Sequence, residues 1–272
     1  MRTASEITVI IPAYNAAGFL LRTLETVAAQ REQPGAIVVA DDGSSDATVS
    51  VAAAFAASHP ECAVRVLREP HRGPGAARNA ALRAADTAWV AFLDSDDRWE
   101  QEKIARIAAA IDRHPAVNFW CHNQTIQFLD GTSRVTDLAA AYDPTRPLSP
   151  QLWRNNLFLT SAVVCRRDLV LSVGGFDENL TSAQDYELWL RMSQYLVARV
   201  IDIPLGRYIE RHGNISTSRF WKRLRNLWRV KHRHRDKVSF VQYLLLMTHA
   251  TIFHLVQPIA GSLRHRMRRG TL

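Results

Sequence analysis

Short Val- and Ile-rich runs alternate with Ala- and Leu-rich stretches through the amino-terminal part of the chain, and that alternation leaves few folds open. The runs are EITVIIP (6–12), AIVVAD (36–41), AVRVLRE (63–69) and AWVAFLD (88–94). They read as buried strands rich in Val and Ile. Between them, residues 17–30, 46–57 and 75–85 carry apolar side chains at helical spacing. Strand, helix and strand in repetition give an α/β fold with a mostly parallel sheet, and right-handed crossovers put helices on both of its faces. Ligands of such sheets bind beyond the carboxyl ends of the strands. Three of those ends carry polar clusters, PAYN (12–15), DDGSSD (41–46) and DSDD (94–97), which are expected to converge on one crevice.

With 272 residues and 47% hydrophobic content, the chain suffices for one large domain with an appendage. Cys62, Cys121 and Cys165 are far apart and form no C-x-x-C pair. They argue against a disulfide framework or a zinc site and fit a reducing, cytoplasmic setting. The first apolar run is too short for a signal peptide and is broken by Pro12, so it reads as a strand. The formal charge of +8 is unevenly placed: Arg219 to Leu272 hold thirteen Lys and Arg and one acid, Asp236, while the other residues hold twenty-one basic and twenty-five acidic side chains. A mildly acidic body therefore carries a basic tail. Nucleic acid is not the expected partner of that body.

The stretch FLDSDD crowds Asp94, Asp96 and Asp97 behind an apolar strand. Such repulsion is tolerated where a divalent cation and its phosphates neutralise it, and oxygen ligands suit Mg2+ or Mn2+. A plainer reading makes Asp94 or Asp97 the cap of a helix that begins near WEQEKIARIAAAI (99–111), which does not account for all three acids. Asp41 and Asp42 stand where carboxylates can accept from a ribose or a base N–H. Asp46 as a helix cap and Gly43 as a turn residue are the ordinary reading of the same loop.

Five segments, VIIPAYN, VVADDGSSDAT, RGPGAARNAAL, AFLDSDD and GGFDENLTSAQDYELWLR, together resemble in order and spacing the family 2 inverting glycosyltransferases, over roughly residues 5–215. The resemblance implies the GT-A fold, a Rossmann-like, mostly parallel central sheet flanked by helices. It also implies transfer of a sugar from a nucleotide diphosphate donor, of UDP, GDP or dTDP type, to an acceptor hydroxyl. By the same resemblance Pro12, Ala13, Tyr14 and Asn15 line the nucleoside pocket, and Asp42 reads the base with Asp41 in support. Arg78 and Asn79 lie near the nucleotide. Asp94, Ser95 and Asp96 form the family's DxD motif, with Asp94 on ribose or metal and Asp96 on the cation that bridges the phosphates.

Transfer also needs a base for the acceptor hydroxyl, and the resemblance assigns it to Asp185, with Glu187 as a second candidate. Asp185 also suits the dipole at a helix start, with Tyr186, Leu188, Trp189 and Leu190 packing inward. Gly174 and Gly175 permit positive φ in the preceding turn. Two positions depart from the family pattern. Ala81 replaces a usual glycine, and Gln184 stands where most members have glutamate, which bears on acceptor or donor-sugar contacts. His212, in YIERHGNIS (208–216), either completes the metal site, donates to phosphate, or is an unligated loop histidine; Asn214 and Ser216 are expected to begin the next helix.

LDGTS (129–133) reads as a hairpin turn and YDPTRPLSP (142–150) as a loop covering the acceptor. In the tail, Phe220, Trp221, Leu224, Leu227 and Trp228 recur at helical spacing, with Lys222, Arg223, Arg225 and Arg229 on other faces. Such a basic amphipathic helix suits an anionic membrane surface, or it packs its tryptophans on the body. FVQYLLLMTHATIFHLV (240–256) contains Gln242, His249 and His254 and reads as interfacial or packed, since a span needs about 20 predominantly apolar residues.

The expected organisation is a catalytic domain over 1–215 and a basic helical extension over 216–272. Peripheral attachment at the inner face of the cytoplasmic membrane would suit an acceptor glycan or lipid-linked saccharide in surface polysaccharide or glycolipid synthesis. Two alternatives are a nucleic-acid module driven by the tail, which leaves the body's motifs unused, and a nucleotidyltransferase on a related scaffold. The latter wants a Gly-rich phosphate loop with Lys, and PAYNAAGF has neither.

Overall fold

The computed structural model describes residues 3–211, 220–241, 243–245 and 247–248. In chain order the first half runs β1 (Ile7–Ala13), α1 (Leu20–Ala28), β2 (Ala36–Asp41), α2 (Thr48–Ser58), β3 (Val64–Arg68), α3 (Pro74–Ala84), β4 (Trp89–Phe92), β5 (Arg98–Trp99) and α4 (Lys103–Arg113). The second half runs β6 (Phe119–Gln127), β7 (Ser133–Val135), α5 (Leu138–Ala141), α6 (Leu148–Arg154), β8 (Val164–Arg166), α7 (Arg167–Ser172), α8 (Gln184–Met192), β9 (Ala198–Ile209) and α9 (Phe220–Arg233).

The four expected strands pair in parallel in the order β3-β2-β1-β4. β1, β2 and β4 are buried at every position, which is why their sequences show no polar alternation. Val9 and Ile11 enter the core under Leu20, Leu24, Ile104 and Ile107, whereas Ile10, Val38 and Phe92 face the core with Ala77, Ala81 and Trp189. Helices therefore cover both faces, and each such Leu, Ile or Phe contributes about 1.5–3 kcal/mol by burial. The small side chains Ala76, Ala77, Ala80 and Ala81 form the buried face of α3. Ala81 thus fits the core where a glycine is usual.

Past β4 the sheet becomes mixed, continuing β8-β6-β9-β5 with β7 hairpinned on β6. The LDGTS turn closes that hairpin, with Phe128 N–H accepted by Thr132 O at 2.9 Å. The loop expected over 142–150 ends earlier than its prolines suggested, because Pro147 precedes α6 and leaves Leu148 as its first residue. β8 runs antiparallel to β4, so the segment leading into it arrives at the carboxyl end of β4, where Phe92 N–H donates to Val163 O at 3.1 Å. That placement delivers Thr160 and Ser161 to the DSDD turn.

The tail helix α9 packs through Val230, Lys231 and Asn226, all buried. Asn226 Nδ2 donates to Thr181 Oγ1 at 3.1 Å and Ser182 Oγ at 2.9 Å, and Lys231 Nζ donates to Trp153 O at 2.6 Å. Trp221 and Trp228 lie on the other face, 70% and 42% exposed. The packing of both tryptophans on the body is thereby corrected: helical phase sets positions 226 and 230 inward, and 221 and 228 turn out with it. No helix of the described residues is long and apolar enough to cross a membrane. All three cysteines are buried free thiols.

Candidate active site

Because β1, β2 and β4 are parallel neighbours, their polar ends share one edge: Asp41 pairs with Ala13 and Phe92 with Ile10. Two strand spacings, roughly 10 Å, separate the Asp41 end from the Asp94 end. At the latter, Asp94 to Asp97 form a tight turn closed by Asp97 N–H donating to Asp94 O at 3.0 Å. Thr23 of α1 clamps it from one side, its hydroxyl donating to Ser95 O at 2.8 Å and Asp97 O at 2.9 Å.

Each acid in the turn has its own partner from a distant element. Asp94 Oδ1 accepts from Arg78 Nη2 at 2.5 Å. Asp96 Oδ2 accepts from Nε of Arg211 at 3.1 Å and also from its Nη2. Asp97 is buried, and its carboxylate accepts from Ser161 Oγ at 2.6 Å and Ile209 N–H at 3.2 Å. The helix after the turn begins only at Lys103, so Asp97 does not cap it. Burial, with Asp94 and Asp96 close by, pushes the Asp97 carboxyl well up. Burial and the Asp94 charge raise Asp96 as well, against the pull of Arg211. Lys103 is fully buried, its amine 3.6 Å from the Trp99 ring and donating to Ser161 O at 2.8 Å; burial drives that amine well below the usual lysine range.

On the nucleoside side, Asp42 N–H donates to Ala13 O at 2.8 Å. The Asp42 carboxylate accepts from the backbone of Arg72 at 2.8 Å and of Gly73 at 2.9 Å, and lies 2.9 Å from His71 Nδ1. His71 in turn stacks on Tyr14, ring centroids 4.2 Å apart. Asn15 adopts φ +47° and ties the two loops together: its N–H donates to Ser44 Oγ and its Oδ1 accepts from Ser45 N–H, both at 2.9 Å. Asp41 Oδ2 accepts from Ser44 N–H at 3.1 Å, while its buried Oδ1 has no protein partner. Pro12 sits in β1, buried. Asp46 accepts from Thr48 N–H at 2.9 Å one position before the cap and braces Ala17 N–H at 3.1 Å.

Asp185 lies in the first turn of α8. Its Oδ2 accepts from Thr160 Oγ1 at 3.1 Å and Asn156 Nδ2 at 3.2 Å, and its Oδ1 from Tyr186 N–H at 2.8 Å. The expected inward side chains Tyr186, Leu188, Trp189 and Leu190 are buried. Next to it, the Gln184 amide does two jobs: Oε1 accepts from Arg78 Nη1 at 3.3 Å and Nε2 donates to Leu180 O. Arg78 thus bridges the DSD turn and the start of α8. Asn79 turns instead to the glycine loop, donating to Phe176 O and Glu178 Oε1 and accepting from Phe176 N–H, at 2.8–2.9 Å. Gly174 and Gly175 have φ +92° and +71°, and a Cβ on Gly175 would stand 2.5 Å from Asn79 Oδ1. Glu187 is buried beneath α9 and bonded to Arg191, Arg233 and His234. Burial alone would raise its carboxyl, but the His234 and Arg191 contacts outweigh it and hold the value at about 2.

The structure therefore brings Asp94, Ser95, Asp96, Arg78 and Asp185 together, with Asp41, Asp42, Tyr14 and Asn15 along the same sheet edge. His212, Asn214 and Ser216 lie outside the described residues. Sequence reasoning missed Asn156, Thr160, Ser161, Lys103, Arg211 and His71, none of which sits in a conspicuous motif. Among the described residues no cluster of three His, Cys, Asp or Glu could hold a metal ion. Two carboxylates from the protein nevertheless fit Mg2+ or Mn2+ that takes its remaining ligands from substrate phosphates and water. The guanidinium resting on Asp96 marks that position as one where positive charge is held.

Parallel strands joined to a mixed half-sheet, with paired carboxylates at the switch edge and another on a facing helix, have the architecture of the GT-A fold. The sequence pattern described as glycosyl transferase family 2 matches residues 8–168. The chain belongs to that family. Rhizobium meliloti succinoglycan biosynthesis protein ExoO is 34% identical over 193 residues, covering 67% of this chain and 54% of that protein. The chain thus spans about half the length of this relative. Among solved structures, S. aureus TarS 1–349 in complex with UDP-GlcNAc superposes with TM-score 0.68 at 20% identity over 90% of this chain and 71% of that one. The Pyrobaculum calidifontis mannosyltransferase PcManGT, in complex with GDP-Man and Mn2+, gives 0.64 at 22% over 92% and 69%. At these identities the likeness is one of fold.

Proposed function

We propose that this chain transfers a sugar, with inversion, from a nucleotide diphosphate donor to an acceptor hydroxyl in the synthesis of a surface polysaccharide or glycolipid. The observation that carries this reading is the Thr160–Ser161 pair, which bonds Asp185 through one hydroxyl and Asp97 through the next. In this reading that pair ties the proton acceptor to the turn that carries the leaving-group site.

Asp185 takes the acceptor proton. A carboxylate has about four acceptor positions, so three protein donors leave one for that hydroxyl. The acceptor oxygen attacks the anomeric carbon from the face opposite the diphosphate, and the carbon–oxygen bond to phosphate breaks with its electron pair on the leaving oxygen. Asp94 and Asp96 would hold Mg2+ or Mn2+, which would supply Lewis-acid stabilisation of the departing diphosphate. Arg78 orients Asp94, and Ser95 lends its backbone to the turn. Tyr14, Asn15 and the backbone of Pro12 and Ala13 frame the nucleoside. Asp42 fixes the loop at 71–73 and reads the base, and the free Oδ1 of Asp41 accepts from nucleoside. Asn79 acts on the nucleotide indirectly, through the loop it clamps.

The catalytic unit is read as 1–215 and the basic extension as 216–272, docked at the cytoplasmic membrane face near a lipid-linked or glycan acceptor. Exposed Trp221 and Trp228, on α9 with exposed Arg225 and Arg229, and exposed Phe240 and Leu245 further along the chain support this contact. Flotation with anionic vesicles tests it: replacing both tryptophans by serine should cut vesicle binding at least fivefold, and unchanged flotation counts against the contact. For the reaction, UDP-, GDP- and dTDP-sugars are offered with and without Mn2+. One donor class should turn over only with the metal. Absence of binding by any of the three nucleotides would defeat the reading.

A further inference from the structure

Arg211 is bound at both faces of its function. Its guanidinium donates twice to Asp96 Oδ2 and lies 3.8 Å from the centroid of the Phe19 ring, just ahead of α1. Its backbone follows β9, whose last residue, Ile209, donates to Asp97 at 3.2 Å, so the side chain is launched from a point tied to the acid turn. A divalent cation on Asp96 would stand beside a guanidinium of like charge that already fills Oδ2 with two donors, and that repulsion favours its displacement. A displaced Arg211 would keep its tether and face the diphosphate that arrives with the cation. Planar guanidinium donors match phosphate oxygens two at a time.

We propose that Arg211 is the resident cation of Asp96 in the ligand-free protein and passes to the donor's diphosphate when the divalent cation takes Asp96. This rests on the nucleotide-sugar reading above. The exchange couples the two ligands. The metal alone must displace an ion pair with no new partner for the arginine, whereas metal and nucleotide together provide one. Each therefore raises the affinity of the other by the same factor.

The test counts bound Mn2+ by electron paramagnetic resonance on the full chain, with and without UDP, GDP and dTDP. Arg211→Met removes the resident charge. Phe19→Leu keeps the charge but removes the ring beneath it, so it separates loss of the resting position from loss of the arginine. Without nucleotide, both variants should bind Mn2+ at least fivefold tighter than the unaltered protein. With the nucleotide the protein prefers, Arg211→Met should bind that nucleotide at least fivefold weaker, and Phe19→Leu should not. Equal Mn2+ affinity of all three proteins in the absence of nucleotide overturns the exchange and leaves the transferase reading standing. Failure of the unaltered protein to bind Mn2+ with any nucleotide overturns the metal step and the exchange together.

Discussion

Ser161 donates a 2.6 Å hydrogen bond to Asp97, and the same hydroxyl accepts from Asp94 N–H at 3.1 Å. One small side chain thus fixes both ends of the acid turn, and its carbonyl is fixed in turn by Lys103 at 2.8 Å and Trp99 Nε1 at 3.0 Å. Arg78, Arg211 and the Ser161 hydroxyl each bond one of the three crowded carboxylates.

Replacing Ser161 with alanine leaves the buried Asp97 oxygen short of its donor. The expected loss is about 1–3 kcal/mol of stability, read by urea melts, together with weaker nucleotide binding in Mn2+. Unchanged melts and binding would remove Ser161 from the account.

Gln184 explains its own departure from the family's glutamate. Its amide must donate to Leu180 O while accepting from Arg78, and a carboxylate can only accept. Gln184→Glu should therefore destabilise the chain by about 1–3 kcal/mol despite the new charge beside Arg78. A higher melting temperature would contradict this.

Much of this was legible beforehand, for a definite reason. β1, β2 and β4 are buried on both faces, so local composition alone marks them, and the polar ends of parallel strands must share an edge. β6 and β9 were not legible: FWCHNQTIQ is polar yet buried over six of its nine positions because it lies inside the mixed sheet. Its Asn123 finds partners in Asp202 and Leu138 N–H, far along the chain. Asp94, Asp96 and Asp185 carried recognisable surroundings. Thr160, Ser161 and Arg211 did not, since their roles come from strand direction rather than from neighbours in sequence.

Glu187 gives the acid dependence of stability. Its carboxyl has an ordinary value of 4.5 and a folded value of about 2, so the unfolded chain binds the extra proton between these limits. The stabilisation is complete above roughly pH 5 and is lost as pH falls towards 2. Glu187→Gln should cost about 2–4 kcal/mol at pH 7 and much less near pH 3. Urea midpoints at both pH values check this; an equal loss at each would show that the ion pairs are not its source.

The most direct measurement is the rate of sugar transfer by Asp185→Asn, with the preferred donor, Mn2+ and an acceptor. The amide keeps the shape of the first turn of α8 but cannot take a proton. Transfer should fall at least about a hundredfold while nucleotide binding stays within twofold. Transfer at the unaltered rate would contradict the placing of the base, and with it the chemistry assigned to this edge of the sheet.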